Sequence, residues 1–291
     1  MENFKENAVQ MELPAEWLYG NPHNPFRVVD DAQMEELAES IHRLGVLTPL
    51  MVRPTGQSGV YEIISGHRRL YACKKVGVDR IPVTVCPVDV DTANVALVDS
   101  NLHRENLLPS EKAFAYRLKM EALSRQGQRR DPTSRQVVGK SETADRIADN
   151  ESGRQVQRYI RLTYLVSEIL QMVDEGKIAF TPAVELSYLS VLEQEDLLSA
   201  MESEDGVPSL SQAQTMKQLS RMGELTADRI LLVMEQPKAN QWERISFRSE
   251  DLRSYFPPDY TIGQIHMMLQ KLLSEYRRSW QTRERDGQHE K

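Results

Sequence analysis

Apolar and polar positions change period along this chain, and each change marks a part of it. In DDAQMEELAESIHRLGV, Met34, Leu37, Ala38 and Ile41 recur at helical intervals, which predicts a helix over 30–46 with Gly45 as its stop. LTPLMVRP and GVYEIIS read as two strands joined by a glycine-containing turn. A helix over about 68–76, closed by Gly77, follows, then a short strand in RIPVTVCPV and a further helix from TANVALVDSNLHREN. Strands alternating with helices predict a compact α/β domain over 20–108, after a loose lead-in at 1–19.

From Pro109 onward the pattern is helical. SEKAFAYRLKMEALSRQG predicts a helix with Ser110 as N-cap, and QGQRRDPTSRQVVGK reads as a polar connector. Helical patterning over 141–235 completes an all-α domain at 109–235. QPKAN is the expected linker to a region at 236–291, which holds a strand in WERISF and a last helix opened by Thr261 and Gln264 in capping-box spacing. Ile265, Met268, Leu269, Leu272, Leu273, Tyr276 and Trp280 form a stripe on that helix. It packs on its own domain or on a second copy. The expected fold class is therefore α+β and multi-domain.

SETADRIADNESGRQVQRYIRLTYL predicts two helices joined by a tight turn, a helix-turn-helix over 141–163. Ser152 and Gln155 fit a capping box that opens the second helix, and Val156, Tyr159 and Ile160 face inward. Arg154, Gln155, Gln157, Arg158 and Arg161 are left outward or near the helix start, where arginine can read guanine and glutamine adenine in a major groove. Ser152, at the cap, belongs to the same edge. Lys140, Ser141 and Thr143, at the start of the first helix, suit phosphate contacts. The alternative is an ordinary pair of amphipathic helices in a bundle.

Charge supports the sharper of these two readings. The whole chain carries a formal net charge of -7, yet Arg125–Arg161 holds nine Lys/Arg against five Asp/Glu. A basic middle in an acidic chain fits a polyanion site confined to one domain. The two cysteines make neither a disulfide framework nor a metal site, and the start MENFKENAVQ has no apolar core of a secretory signal. No apolar run approaches the roughly 18 residues of a membrane span. A cytoplasmic protein is expected.

A second cationic feature sits in YEIISGHRRLYACKKVGVDRIPVTV. Gly66 lets the backbone approach a ligand closely, and Arg68 and Arg69 follow at a helix N-terminus, where anions bind. In DSNLHREN, Asn101 and Arg104 stand three apart and so share one helix face, with Asp99 nearby. An asparagine beside an acid suits a hard cation such as magnesium, and Arg104 adds charge for a phosphate. Together these residues are fit to cradle a nucleoside triphosphate. The alternative is that Arg68 and Arg69 merely pair with surface carboxylates.

NPFRVVDDAQMEELAESIHRLGVLTPLMVRP, the glycine-arginine stretch, SNLHRENLLPSEKAFAYRLKM and SGRQVQRYIRLTYLVSEILQMVDEGKIAFTPAVELSYL, in this order, resemble the ParB-type (ParB/RepB) chromosome and plasmid partition proteins over roughly residues 20–190. The resemblance implies a dimer that binds a palindromic, centromere-like duplex site through the helix-turn-helix. It implies CTP with Mg2+ in the N-terminal domain, closure as a clamp on DNA, and a ParA-type ATPase as partner. Carried over by position, Gly66, His67, Arg68 and Arg69 line the triphosphate, Asn101 helps to hold magnesium and Arg104 faces the phosphates. Gly45, Thr48 and Pro49 stand where the base-side contacts begin. The family often carries an acid where this chain has His67, and another where it has Ser100. The resemblance leaves open whether CTP is hydrolysed. A transcription or copy-number regulator with a vestigial pocket, and a ParB-like nuclease using Asp99, are the competing readings.

Overall fold

The computed structural model describes residues 8–104, 106–130 (127–130 as backbone only) and 151–236, and within 255–276 all but 258, 259, 262, 266 and 270. The chain divides into two compact units, Met1–Ala239 and Asn240–Lys291.

The first unit begins with a five-stranded mixed sheet of β1 (Val9–Pro14), β2 (Leu18–Tyr19), β3 (Leu50–Pro54), β4 (Tyr61–Ser65) and β5 (Arg80–Val85), ordered β1-β5-β3-β4-β2. β1 runs antiparallel to β5 from Val9↔Val85 to Pro14↔Arg80. Within the expected lead-in, Val9–Pro14 is thus an edge strand of the sheet. β5 pairs parallel with β3, β3 antiparallel with β4, and β4 parallel with β2.

Side chains alternate across this sheet, as a pleated strand requires. Leu50, Val52 and Ile63 enter one core with Met34, Ala38 and Ile41 of α1 (Ala32–Leu44) and with Leu70, Ala72 and Cys73 of α2 (His67–Lys75). Met51 and Ile64, one residue along from Val52 and Ile63, face the opposite side and meet Ala93 and Ala96 of α3 (Val90–Asp99). Each fully buried Leu or Ile contributes about 1.5–3 kcal/mol relative to exposure. The expected stops hold: Gly45 follows α1 at φ +71°, and Gly77 lies just past α2 at φ +74°. The helix from TANVALVD is shorter than expected. It ends at Asp99, and Asn101–Arg104 form a turn closed by the Arg104 N–H on the Asn101 carbonyl at 3.1 Å.

α4 (Pro109–Arg130) opens with proline at its first position, where a missing N–H costs nothing. Ser110 is therefore one residue inside the helix rather than its cap. Glu111 reaches back to the Leu108 N–H at 3.1 Å. Charge pairs join α4 to α3: Lys119 to Asp99 at 2.7 Å and Arg125 to Asp91 at 2.7 Å. α5 (Gly153–Leu162), α6 (Ser167–Asp174), α7 (Phe180–Leu186), α8 (Val191–Ser203), α9 (Leu210–Arg221) and α10 (Ala227–Glu235) surround a separate core that includes Leu162, Ile169, Ile178, Leu186, Leu197, Met216 and Ile230. Ser190 with Glu193, and Ser209 with Gln212, form complete capping boxes on α8 and α9.

In the second unit, described residues within 263–276 are helical. Thr261 and Gln264 cap them reciprocally, with the Thr261 N–H on Gln264 Oε1 at 2.8 Å and the Gln264 N–H on Thr261 Oγ1 at 3.4 Å. Of the expected stripe, Met268, Leu272, Leu273 and Tyr276 are exposed and Ile265 is buried. Residues 237–240 of the linker, the WERISF strand, Trp280 and the first helix of the helix-turn-helix lie outside the described residues. No described helix is long and apolar enough to cross a membrane.

Candidate nucleotide pocket and nucleic-acid interface

The glycine-arginine turn is built where β4 meets α2. The β3–β4 register shifts between Met51 and Val52, a bulge that re-aims the strand end at Ser65. Gly66 then takes φ +110°, ψ +24°, and a Cβ there would stand 2.9 Å from Leu50 Cγ. Only glycine meets both conditions without strain. No side chain caps α2. The main-chain N–H groups of His67, Arg68 and Arg69 are those that a helix leaves without internal acceptors.

His67, Arg68 and Arg69 border a cavity of about 120 Å³. Its wall comes from Asn24 and Phe26–Val28, from Ser65–Arg69 and from Ser100, Asn101 and Arg104. Gly66, His67, Arg68, Arg69, Asn101 and Arg104, predicted from two separate stretches, therefore share one pocket. Asn101 and Arg104 reach it through the turn after α3 rather than as one helix face. Gly45, Thr48 and Pro49 are not in its wall. Thr48 and Pro49 instead hold the arginine beneath it: Nη1 of Arg69 donates to the carbonyls of both, at 3.0 Å for Pro49.

The pocket gathers positive charge, with Arg68 and Arg69 partly buried and Arg27 and Arg104 exposed. Burial lowers the Arg69 guanidinium from its ordinary pKa. Burial, followed by the nearby Arg68 charge, does the same to Arg104, which lies 5.8 Å over the Phe26 ring. Arg68 pairs with a half-exposed Asp31 at 3.5 Å. None of the residues lining this wall carries a carboxylate. Of the other carboxylates near it, Asp174 lies 3.3 Å from Arg27, Glu62 pairs with Arg53 at 2.8 Å, and Glu111 accepts from the main-chain N–H groups of Arg27 and Leu108. Cations that converge on an open helix N-terminus favour a polyanion. His67 stays neutral here. Burial first, and Arg104 second, hold its imidazole down to about 4.

The divalent-cation expectation fits less well. Asn101 lines the pocket and spends its amide N–H groups on the Leu97 carbonyl at 2.8 Å and Ser100 Oγ at 3.1 Å, so only its oxygen is left to meet a cation. Asp99, the acid expected nearby, points to Lys119 on α4. Among the described residues no group of three or more His, Cys, Asp or Glu could hold a metal. One amide oxygen does not make a magnesium site, which normally takes one or two carboxylates plus phosphate oxygens.

The second helix of the expected helix-turn-helix is α5. Ser152 caps it by accepting the Gln155 N–H at 3.3 Å. The reciprocal half of the box is replaced, because Gln155 Oε1 accepts from Arg158 at 3.2 Å. Ser152, Arg154 and Gln157 are exposed, and Gln157 is itself engaged. Arg158 and Arg161 are only partly outward. Arg158 donates to Thr181 Oγ1 at 3.0 Å and lies 5.0 Å over Phe180. Arg161 binds the carbonyl and hydroxyl of Ser187 and lies over Tyr164 and Tyr188 at 4.5 and 4.0 Å. Both arginines pin α5 to the α7 segment. Lys140, Ser141 and Thr143 lie outside the described residues.

Arg27, Asn24 and Phe26 are pocket residues that sequence reasoning missed. The signal for them is NPHNPF: Asn21 and Asn24 each accept the N–H two residues on, at 2.8 and 3.2 Å, the side-chain turn that Asn-Pro pairs favour.

Comparison with known proteins places the chain in a family. Residues 1–102 match the model of the ParB N-terminal domain. The nucleoid occlusion protein of Bacillus pumilus is 32% identical over 219 residues, which cover 75% of this chain and 69% of that protein. The chromosome-partitioning protein Spo0J of Thermus thermophilus is 32% identical over 217 residues, covering 74% and 72%. Among solved structures, C-terminally truncated chromosome-partitioning ParB from Caulobacter crescentus, complexed with CTP-gamma-S, is 27% identical with a TM-score of 0.31, covering 62% of this chain and 92% of that one.

Proposed function

Because the chain belongs to the ParB family of partition proteins, we propose that it binds CTP in the pocket at the start of α2 and a duplex at the start of α5. The observation that carries the first half is the meeting of Arg27, Arg68, Arg69 and Arg104 at an uncapped helix N-terminus in a wall without carboxylates. Phosphates would take the main-chain N–H groups of His67–Arg69 and the guanidinium groups of Arg68 and Arg104. Magnesium would arrive on the nucleotide's own oxygens, with Asn101 as its protein ligand. The base would lie toward Gly45, Thr48 and Pro49.

In this reading Val9–Leu108 is the nucleotide domain and 109–235 the DNA domain. The helix-turn-helix at 141–163 reads one half of a palindromic, centromere-like site. The exposed Ser152 and Arg154 reach base edges, and Lys140, Ser141 and Thr143 reach phosphates. The region 236–291 joins two copies or a partner, and a ParA-type ATPase moves the assembly on the nucleoid in the cytoplasm. CTP then licenses closure and spreading on DNA during segregation. The nuclease reading loses support, because its candidate acid, Asp99, is held by Lys119.

The test is titration of the full chain with CTP, ATP and GTP, with and without a cognate duplex. Selective CTP binding strengthened by the duplex is expected, with affinity reduced about tenfold or more in Arg104→Ala. A chain that binds the duplex but no nucleotide would instead be a regulator with a vestigial pocket.

A further inference from the structure

His67 stands at the pocket wall with one edge of its ring already used. The Asn21 main-chain N–H donates to Nε2 at 3.3 Å. The same edge faces Gly20, whose Cβ, if added, would meet Cδ2 at 3.6 Å. Two independent contacts thus turn the Nε2–Cδ2 edge toward the 20–21 segment. An N–H can donate only to a nitrogen with a lone pair, so Nε2 carries no proton and the neutral ring is protonated on Nδ1. Asn21 is itself fixed. Its Nδ2 donates to Asn94 Oδ1 at 2.9 Å, and its Oδ1 accepts the His23 N–H at 2.8 Å. Asn21 and Asn94 are both buried.

We propose that Asn21, held by Asn94, is a positioning residue that locks His67 as an uncharged Nδ1–H donor to a phosphate oxygen of the bound nucleotide. This rests on the nucleotide reading above and specifies one side chain within it. The charged groups around the ring are Arg104 from the turn after α3, Glu62 from β4, and Arg68 and Arg69 on its own helix. Adding a proton at Nε2 would set one N–H against another, so the ring keeps its neutral form even beside a polyphosphate. With its lone pair committed, the same ring is not available as a base for water. His67 therefore serves the nucleotide as a donor and not as a base for hydrolysis.

The experiment is ring-nitrogen NMR on full-length, 15N-histidine-labelled protein from pH 5 to 8, with and without CTP and Mg2+, the His67 signals being assigned by their loss in His67→Gln. The expected result is an unprotonated Nε2 throughout that range and a shift of the Nδ1–H signal when CTP binds. Asn94→Leu should introduce the opposite tautomer and weaken CTP binding several-fold, while His67→Gln, which keeps an N–H donor, should bind CTP better than His67→Leu by about tenfold. A protonated Nε2, ordinary titration near about 6.5, or an Nδ1–H signal indifferent to CTP overturns the proposal while CTP binding still stands. Failure of the wild-type chain to bind CTP at all overturns this proposal together with the reading beneath it.

Discussion

The carboxylate of Asp174, at the end of α6, closes the first turn of α4 through Ser110, accepting its N–H at 2.9 Å and its hydroxyl at 2.6 Å across 64 residues of sequence. The same carboxylate lies 3.3 Å from Nη2 of Arg27, a residue of the pocket wall. It satisfies donors that a helix start cannot satisfy itself. Asp174→Ala should therefore destabilise the first unit by about 1–2 kcal/mol, as loss of a good cap does. Asp174→Asn should cost less, since one acceptor remains. Urea denaturation of the pair checks the order, and equal losses would mean that the hydrogen bond kept by Asn contributes nothing.

Gly66→Ala meets two penalties, a left-handed backbone and Leu50 Cγ at 2.9 Å. Gly56, at φ +87° with nothing within 4 Å of an added Cβ, meets only the first. Backbone strain alone costs on the order of 1–3 kcal/mol. The expected outcome is a larger drop in Tm for Gly66→Ala than for Gly56→Ala, with loss of nucleotide binding in the former only.

Arg154 and Arg158 should separate in a paired assay. Exposed Arg154→Ala should weaken specific duplex binding by about 1–3 kcal/mol and leave Tm unchanged. Arg158→Ala should also lower Tm, because it strips Thr181 and Phe180 of their partner. Fluorescence anisotropy and calorimetry on both variants decide it. Identical profiles would contradict the pinning role.

Acid should weaken the fold through His67. Its folded-state value of about 4 lies below the ordinary 6.5, so the unfolded chain binds the extra proton between those limits. Stability from this group is full above about 6.5 and is lost as pH falls toward 4, by at most about 3 kcal/mol. His67→Gln should flatten that part of the stability profile, and an unchanged slope would refute the assignment.

Much of the pocket was legible because its chemistry is local. A glycine before two arginines announces an open turn whatever lies around it. Asn101 and Arg104 were read as a pair through helical spacing, and they meet through a turn instead, since α3 stops at Asp99. Asp99 itself could not be placed, because its partner Lys119 belongs to the next helix. Val9, Met11 and Leu13 alternate in the manner of a strand, yet three apolar residues count for little until β5 supplies the ladder. Arg158 and Arg161 looked outward by periodicity alone. Periodicity knows nothing of Thr181 and Ser187, which arrive from elsewhere in the chain and cover them.

α4 touches both ends of this arrangement. Lys119 and Arg125 tie it to α3 beside the pocket, and Lys112 ties it to Glu151 just ahead of α5. Its 22 residues form a rod about 33 Å long, so a tilt of about 10° at one end sweeps the other through about 6 Å. Leverage of that kind turns a change no wider than a few atoms into a displacement larger than the spacing between neighbouring base pairs.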